Sequence, residues 1–216
     1  MPFLVEPNGV AIDGGPNRGV YSVCLSSHCR CVYAFEPNPA MCGYLRPAVP
    51  DNVSVSECAL SDSAGKAQFN VPMLAGQKLQ HTGGGLSAAV DHAETVSFSV
   101  DTATIDQLGL SDVSFIKLDL EGGELDALRG EQETTKRDRP NMILEIHPDR
   151  GSDFRTELLS IVEKWGYLGL VLHRGQLILL QRTLQSGKTQ PESHNFIFIS
   201  KSRGLVVYPT YGLLLA

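Results

Sequence analysis

The sequence predicts an α/β fold with a doubly wound, mostly parallel seven-stranded sheet and helices on both faces. Short apolar runs alternate with helical stretches along the chain, which is the pattern of βαβ units. A glycine-rich loop follows the first apolar run, at residues 14–19. The 216 residues are 42% hydrophobic and 19% charged, a composition typical of one globular domain (1–216) with a sizeable core.

The first part of the chain, residues 9–62, is predicted to hold two strand–helix units and a third strand, and we interpret it as the cofactor-binding half. Each apolar run is short enough for a strand, and each stretch between runs is long enough for a helix. Strands are predicted at 10–13, 31–37 and 53–62, and helices at 18–27 and 39–45.

The pattern changes in residues 63–104, which we interpret as an inserted hairpin or lid. Residues 67–72 and 95–101 alternate apolar and polar side chains, as strands do. The segment 81–94 between them carries a glycine triplet, which is typical of a loop. This loop is either a lid that faces the substrate or a plain flexible connection.

The strand–helix pattern returns in residues 105–202, the predicted substrate-side half. Gly130 and Gly166 stand where glycines cap the C-terminal ends of helices. The apolar tail, residues 203–216, either packs as an extra strand or forms a homodimer contact. The predicted segments are a strand and helix within 114–130, strands at 141–148, 167–172, 176–180 and 195–200, and an amphipathic helix at 153–166.

Charge and cysteine content exclude several classes of protein. A formal net charge of −6 provides no basic face for the phosphates of a nucleic acid. No apolar run is long enough to cross a membrane and no leader pattern is present, so we expect a cytoplasmic protein without a membrane partner. The five cysteines are an odd number, which argues against a disulfide framework.

The glycine-rich loop has the pattern Asp-x-Gly-x-Asn-x-Gly, formed by Asp13, Gly15, Asn17 and Gly19. It lacks the GxGxxG fingerprint of dinucleotide sites, and Pro16 removes an N–H group that a phosphate would need. A carboxylate at Asp13 repels a pyrophosphate but suits a ligand with positive charge. S-adenosylmethionine, which has sulfonium and ammonium groups and no phosphate, is such a ligand.

Glu36 stands at the end of the second predicted strand. A carboxylate at this position accepts hydrogen bonds from both ribose hydroxyls. Sites for NAD and for S-adenosylmethionine share this feature, so Glu36 indicates an adenosine-containing ligand without choosing between the two.

Five stretches, in order along the chain, resemble the FkbM-type methyltransferase family: IDGGPNRGVYS, VYAFEPNP, ECALSD, FIKLDLEGGELDALRG and LEIHP. The resemblance implies the Rossmann-like class I methyltransferase fold and S-adenosylmethionine as cofactor. It also implies O-methyl transfer to a sugar-containing or polyhydroxylated natural product. By the same resemblance, Asp13, Gly15, Asn17 and Gly19 would line the methionine part of the cofactor, Glu36 would hold the ribose, and Ala59 and Leu60 would border the adenine.

The catalytic candidates are Asp119, Glu121 and His147, which follow two neighbouring predicted strands. Ligands bind beyond the carboxyl ends of parallel strands, so these side chains are expected to face the acceptor. A hydroxyl needs a base as it attacks the methyl group, and a histidine or an oriented carboxylate can supply it. Two alternatives remain: Lys117 neutralises the carboxylates, or Asp119, Glu121 and His147 bridge a divalent metal.

Three functions are compatible with the sequence. The first is O-methyl transfer from S-adenosylmethionine to a small-molecule hydroxyl acceptor. The second is an NAD-type oxidoreductase, which the missing fingerprint and Asp13 disfavour. The third is a non-catalytic protein that keeps the methyltransferase fold.

Overall fold

The computed structural model describes residues 4–74, 78–79, 84–86, 95–147, 151–173, 175–180 and 194–203. Most of the predicted glycine-rich loop 81–94 and nearly all of the apolar tail 203–216 lie outside these residues. The strands are β1 (Val10–Gly14), β2 (Cys31–Phe35), β3 (Val53–Ser56), β4 (Ala59–Leu60), β5 (Gly65–Leu74), β6 (Lys78–Leu79), β7 (Thr95–Ala103), β8 (Val113–Leu118), β9 (Asn141–Glu145), β10 (Tyr167–His173), β11 (Gln176–Leu179) and β12 (Asn195–Ser200).

Five α-helices connect these strands in the described part of the chain. Asn38 begins the second helix, because its side-chain oxygen accepts a hydrogen bond from the Ala40 N–H at 3.0 Å and Pro39 occupies the first turn. The helices are α1 (Val20–Ser26), α2 (Pro39–Leu45), α3 (Glu124–Arg129), α4 (Gln132–Asp138) and α5 (Gly151–Lys164), with short 3₁₀ turns at Asp106–Leu108 and Lys201–Arg203.

The main sheet has the strand order β11-β10-β12-β9-β8-β1-β2-β3. Strands β3, β2, β1, β8 and β9 are parallel neighbours, whereas β12 runs antiparallel to both β9 and β10. The predicted mostly parallel α/β sheet is therefore present. The sheet has eight strands and not the predicted seven, with the predicted segment 176–180 forming β11, which pairs antiparallel with β10 at the edge.

Both faces of the main sheet are covered by hydrophobic side chains, as in a doubly wound fold. Along β1, Ile12 belongs to one buried cluster, and its neighbour Ala11 belongs to the other. Leu25 of α1 and Leu45 of α2 pack in the Ala11 cluster, while Leu128 of α3 lies in the Ile12 cluster. Successive strand residues point to opposite faces, so helices on both sides bury this sheet.

A second sheet lies outside the main one and has the order β4-β7-β5-β6. Strands β5 and β7 pair antiparallel from Gly65–Thr102 to Pro72–Thr95. The segment 53–62 was predicted as a single strand, which was wrong. It is divided into β3, which ends the main sheet, and β4, which pairs in parallel with β7.

All five cysteines are free thiols in this structure. Within the described residues, no helix is both long and apolar enough to cross a membrane.

Candidate active site

A cavity of about 250 Å³ opens at the carboxyl ends of the central parallel strands. This is the edge at which open α/β sheets bind their ligands. It brings together eight of the ten predicted site residues: Gly15, Asn17, Glu36, Ala59, Leu60, Asp119, Glu121 and His147.

The glycine-rich loop forms one wall of the cavity. Gly15 and Asn17 both have positive φ angles, 69° and 50°, a conformation that glycine adopts freely and asparagine tolerates. A Cβ atom at Gly15 would overlap the carbonyl oxygen of Asp119. Glycine at this position therefore lets the loop after β1 approach the loop after β8.

Asp13 and Gly19 do not line this cavity. The carboxylate of Asp13 is fully buried and accepts a hydrogen bond from Ser22 Oγ at 2.6 Å. Gly19 has a φ of 80° at the start of α1, and a Cβ there would lie 2.5 Å from Leu45 Cδ1. Both residues support the glycine-rich loop without lining the cavity, and their direct contact with a cofactor stays a prediction.

Lys117 lies between two carboxylates, as one alternative expected from the sequence. Its Nζ atom is 3.1 Å from Asp119 Oδ2 and 3.9 Å from Asp13 Oδ1, and its side chain is buried. Burial raises the pKa of Asp13, while the nearby Lys117 ammonium opposes that shift. The ammonium thus offsets part of the cost of burying these carboxylates.

Glu36 occupies the end of β2, and its carboxylate is held by backbone. Oε1 accepts a hydrogen bond from the Asn38 N–H at 2.9 Å, and Oε2 accepts one from the Asn17 N–H at 3.3 Å. Burial raises the pKa of Glu36 to about 7 despite these bonds. A carboxylate has about four acceptor positions, so two remain for the hydroxyls of a ligand.

The second sheet, which includes β4, contributes a further part of the cavity wall. Ala59 and Leu60 lie beside three residues from 63–104, the predicted insertion: Phe69, Gly84 and Leu86. The insertion therefore contributes apolar surface to the cavity.

Asp119 and Glu145 are hydrogen-bonded to each other at the ends of β8 and β9. This hydrogen bond, together with burial and the Asp119 charge, raises the pKa of Glu145 to about 8. Burial raises the pKa of Asp119, but the bond from Glu145 and the Lys117 charge outweigh it, so the pKa of Asp119 is lowered. A proton shared by the two carboxyl groups accounts for both shifts, and a cation bound to either carboxylate would displace it.

Glu124 holds the loop between β8 and α3 in place. Its Oε1 atom accepts hydrogen bonds from the Leu120 N–H at 2.8 Å and the Gly122 N–H at 3.2 Å. Glu121 sits within this loop at a φ of 51°, which is uncommon for a residue with a side chain. Its side chain lines the cavity.

His147 lies among acidic side chains and a second histidine. Its Nε2 atom is 3.7 Å from Glu145 Oε1 and 3.9 Å from Glu121 Oε2. The ring centroids of His147 and His194 are 5.0 Å apart. Glu145 and His194 were not among the site residues predicted from the sequence. A lone histidine before the β12 strand carries no signal of its position in the fold.

The family comparison agrees with this geometry. The model of the methyltransferase FkbM domain matches residues 13–168, well over half of the chain. None of the curated proteins matches the chain in sequence.

Two solved structures share the fold. Methyltransferase FkbM from Methylobacillus flagellatus KT is 15% identical and superposes with a TM-score of 0.56 over 88% of this chain, which spans 43% of that protein. SMU.1697c from Streptococcus mutans, solved in complex with SAH, is 11% identical and has a TM-score of 0.51 over 92% of this chain and 90% of its own. With the family match over residues 13–168, the chain belongs to the FkbM methyltransferase domain family.

Proposed function

We propose that this protein is an S-adenosylmethionine-dependent O-methyltransferase that acts on a hydroxyl of a small sugar-containing or polyhydroxylated molecule. The observation that supports this function is a single cavity whose two sides differ in chemistry. Glu36 follows β2, whereas the acid–base side chains Asp119, Glu121 and His147 follow β8 and β9, on the other side of β1 in the sheet.

The Glu36 end suits the nucleoside of the cofactor. Its two remaining acceptor positions match two adjacent ribose hydroxyls. The adjacent apolar surface of Ala59 and Leu60 suits a flat base. Gly15 lines the same cavity and has no side chain that would keep the rest of the ligand from the backbone.

The opposite end suits a hydroxyl acceptor. When bound, S-adenosylmethionine supplies an electrophilic methyl group. The residues Asp119, Glu121 and His147 orient the acceptor oxygen and accept its proton as the carbon–oxygen bond forms. Carboxylates and an imidazole also hydrogen-bond to neighbouring hydroxyls, as in a polyhydroxylated acceptor.

Two measurements test this function. Isothermal titration with S-adenosylhomocysteine should show binding to the folded full chain. Methyl-labelled S-adenosylmethionine, offered with sugars, polyols, amines and thiols, should label a hydroxyl compound. Asp119→Asn should lower the rate by at least about 100-fold while leaving S-adenosylhomocysteine affinity nearly unchanged. No binding of S-adenosylhomocysteine, or transfer only to amines or thiols, would contradict the proposal.

A further inference from the structure

Three side chains with metal-binding atoms lie close together, and two of them, Glu145 and His147, line the cavity. In the described part of the chain, Glu145, His147 and His194 each present one ligand atom, and these atoms lie within 4.8 Å of one another. This set shares only His147 with the metal site considered from the sequence, which used Asp119 and Glu121.

The main sheet fixes these residues in position. Glu145 ends β9 and pairs with Asn195 at the start of β12. The Ile146 N–H donates a hydrogen bond of 2.8 Å to the His194 carbonyl, so the two chain segments stay aligned beyond the last strand residues. His147 and His194 therefore lie side by side just beyond the ends of two paired strands.

The spacing of the three groups is close to that of a coordination sphere. Zinc binds imidazole nitrogen at about 2.0–2.1 Å and carboxylate oxygen at a similar distance, so two ligands on one ion lie roughly 3–4 Å apart. Glu145 Oε1 and His147 Nε2 are already 3.7 Å apart. Small side-chain rotations would bring His194 into the same sphere.

The ligand types also select the class of ion. Two imidazoles with one carboxylate suit first-row transition ions such as Zn²⁺, Co²⁺ or Mn²⁺, whereas Mg²⁺ and Ca²⁺ prefer oxygen ligands. Three protein ligands leave coordination positions open for a water or a substrate oxygen. The His147 and Glu145 side chains are partly exposed and line the cavity, so those positions face the space for the acceptor.

We propose that Glu145, His147 and His194 bind a divalent transition-metal ion that holds the acceptor hydroxyl. This proposal rests on the function proposed above. The ion lowers the pKa of the acceptor hydroxyl that it holds. The hydroxyl proton passes to the Glu121 carboxylate, whose Oε2 atom lies 3.9 Å from His147 Nε2. The oxygen then bonds to the methyl carbon while the sulfur–carbon bond breaks, leaving S-adenosylhomocysteine and the methyl ether.

Cobalt titration tests the metal site without relying on activity. The full chain, without a histidine tag, is stripped with a chelator and titrated with Co²⁺. We expect one equivalent to bind and to produce a visible d–d absorption band. His194→Ala should weaken Co²⁺ binding by roughly tenfold or more. His28→Ala, which changes a histidine outside this cluster, should bind Co²⁺ as the parent does.

His194→Asn provides a milder second change, and unaltered S-adenosylhomocysteine affinity shows that each variant is folded. Absence of the d–d band, or equal Co²⁺ affinity in the parent, His194→Ala and His194→Asn, overturns the metal site. If S-adenosylhomocysteine binds and methyl transfer continues in excess chelator, the metal proposal fails while the proposed function stands. If the metal-loaded parent neither binds S-adenosylhomocysteine nor transfers a methyl group, the proposed function itself fails.

Discussion

Glu36 couples cofactor binding to pH. Its pKa of about 7 means that a substantial part of the protein carries a neutral Glu36 at neutral pH. Ribose hydroxyls donate to the ionised carboxylate, so ligand binding favours loss of this proton. Affinity for S-adenosylhomocysteine should therefore rise with pH to a plateau above about 7, and fall below it by up to about tenfold per unit.

The matched variant for this prediction is Glu36→Gln. An amide replaces one of the two carboxylate oxygens with an NH₂ group, so one of the Asn17 and Asn38 N–H groups loses its acceptor, and affinity at pH 8 should fall by roughly tenfold or more. The pH dependence of its remaining affinity should also be flatter than that of the parent. Isothermal titration at pH 5.5 to 8 compares the two proteins, and parallel pH profiles would contradict the role of Glu36.

Gly15 tests the contact between the two loops. Gly15→Ala should both strain a positive φ and overlap the Asp119 carbonyl. Gly109→Ala is the matched control, because Gly109 has a similar φ of 64° but nothing within 4 Å of an added Cβ. We expect about 1–2 kcal/mol of destabilisation for Gly109→Ala and clearly more for Gly15→Ala, with loss of S-adenosylhomocysteine binding only in the latter. Urea unfolding measures the loss of stability in each variant, and equal losses in the two variants would refute the close approach of the two loops.

At the scale of elements, the loop after β8 depends on Glu124. Glu124→Ala would leave the Leu120 and Gly122 N–H groups without this acceptor. We expect a loss of about 2 kcal/mol in the free energy of unfolding. Methyl transfer should also become slower, because Asp119 and Glu121 belong to this loop. Glu124→Gln keeps an oxygen acceptor and should retain most of the stability. Urea unfolding that shows the same loss for both variants would argue against the hydrogen bonds as the cause.

The elements that the sequence predicted well are those with a local signal. The α2 helix lies at Pro39–Leu45 as expected, because Asn38 and Pro39 mark its start. The division of 53–62 was missed, because β3 and β4 both have strand-like sequences and only their partners differ. Which strand pairs with which is a property of the whole fold, and the local pattern does not encode it.

The same limit applies to the site. Asp13, Gly15 and Asn17 form a pattern that is local in sequence, and the sequence therefore identified the loop. The proximity of His147 to His194 arises from pairing between β9 and the distant β12 strand. Likewise, the buried position of Asp13 behind the loop follows from packing against Ser22 and Lys117.

At the scale of the whole molecule, one buried carboxyl makes global stability depend on pH. Glu131 is fully buried between α3 and α4, and its Oε2 atom has no hydrogen-bond partner among the described residues. Burial raises its pKa to about 8, the Thr135 hydroxyl opposes this shift, and the Asp106 charge adds to it. The folded protein therefore keeps a proton that the unfolded chain loses above its ordinary pKa of about 4.5.

The raised pKa of Glu131 determines how the stability of the protein changes with pH. Between about pH 4.5 and 8 the folded state binds more protons at Glu131, so its contribution to stability declines as the pH rises, by about 1.4 kcal/mol per unit. Glu131→Gln removes this titration, and should raise the free energy of unfolding at pH 8 while changing it little at pH 5. Glu133→Gln alters an exposed neighbour on α4 and should leave the pH dependence of stability unchanged. Urea unfolding across this pH range would refute the assignment if Glu131→Gln keeps the slope of the parent.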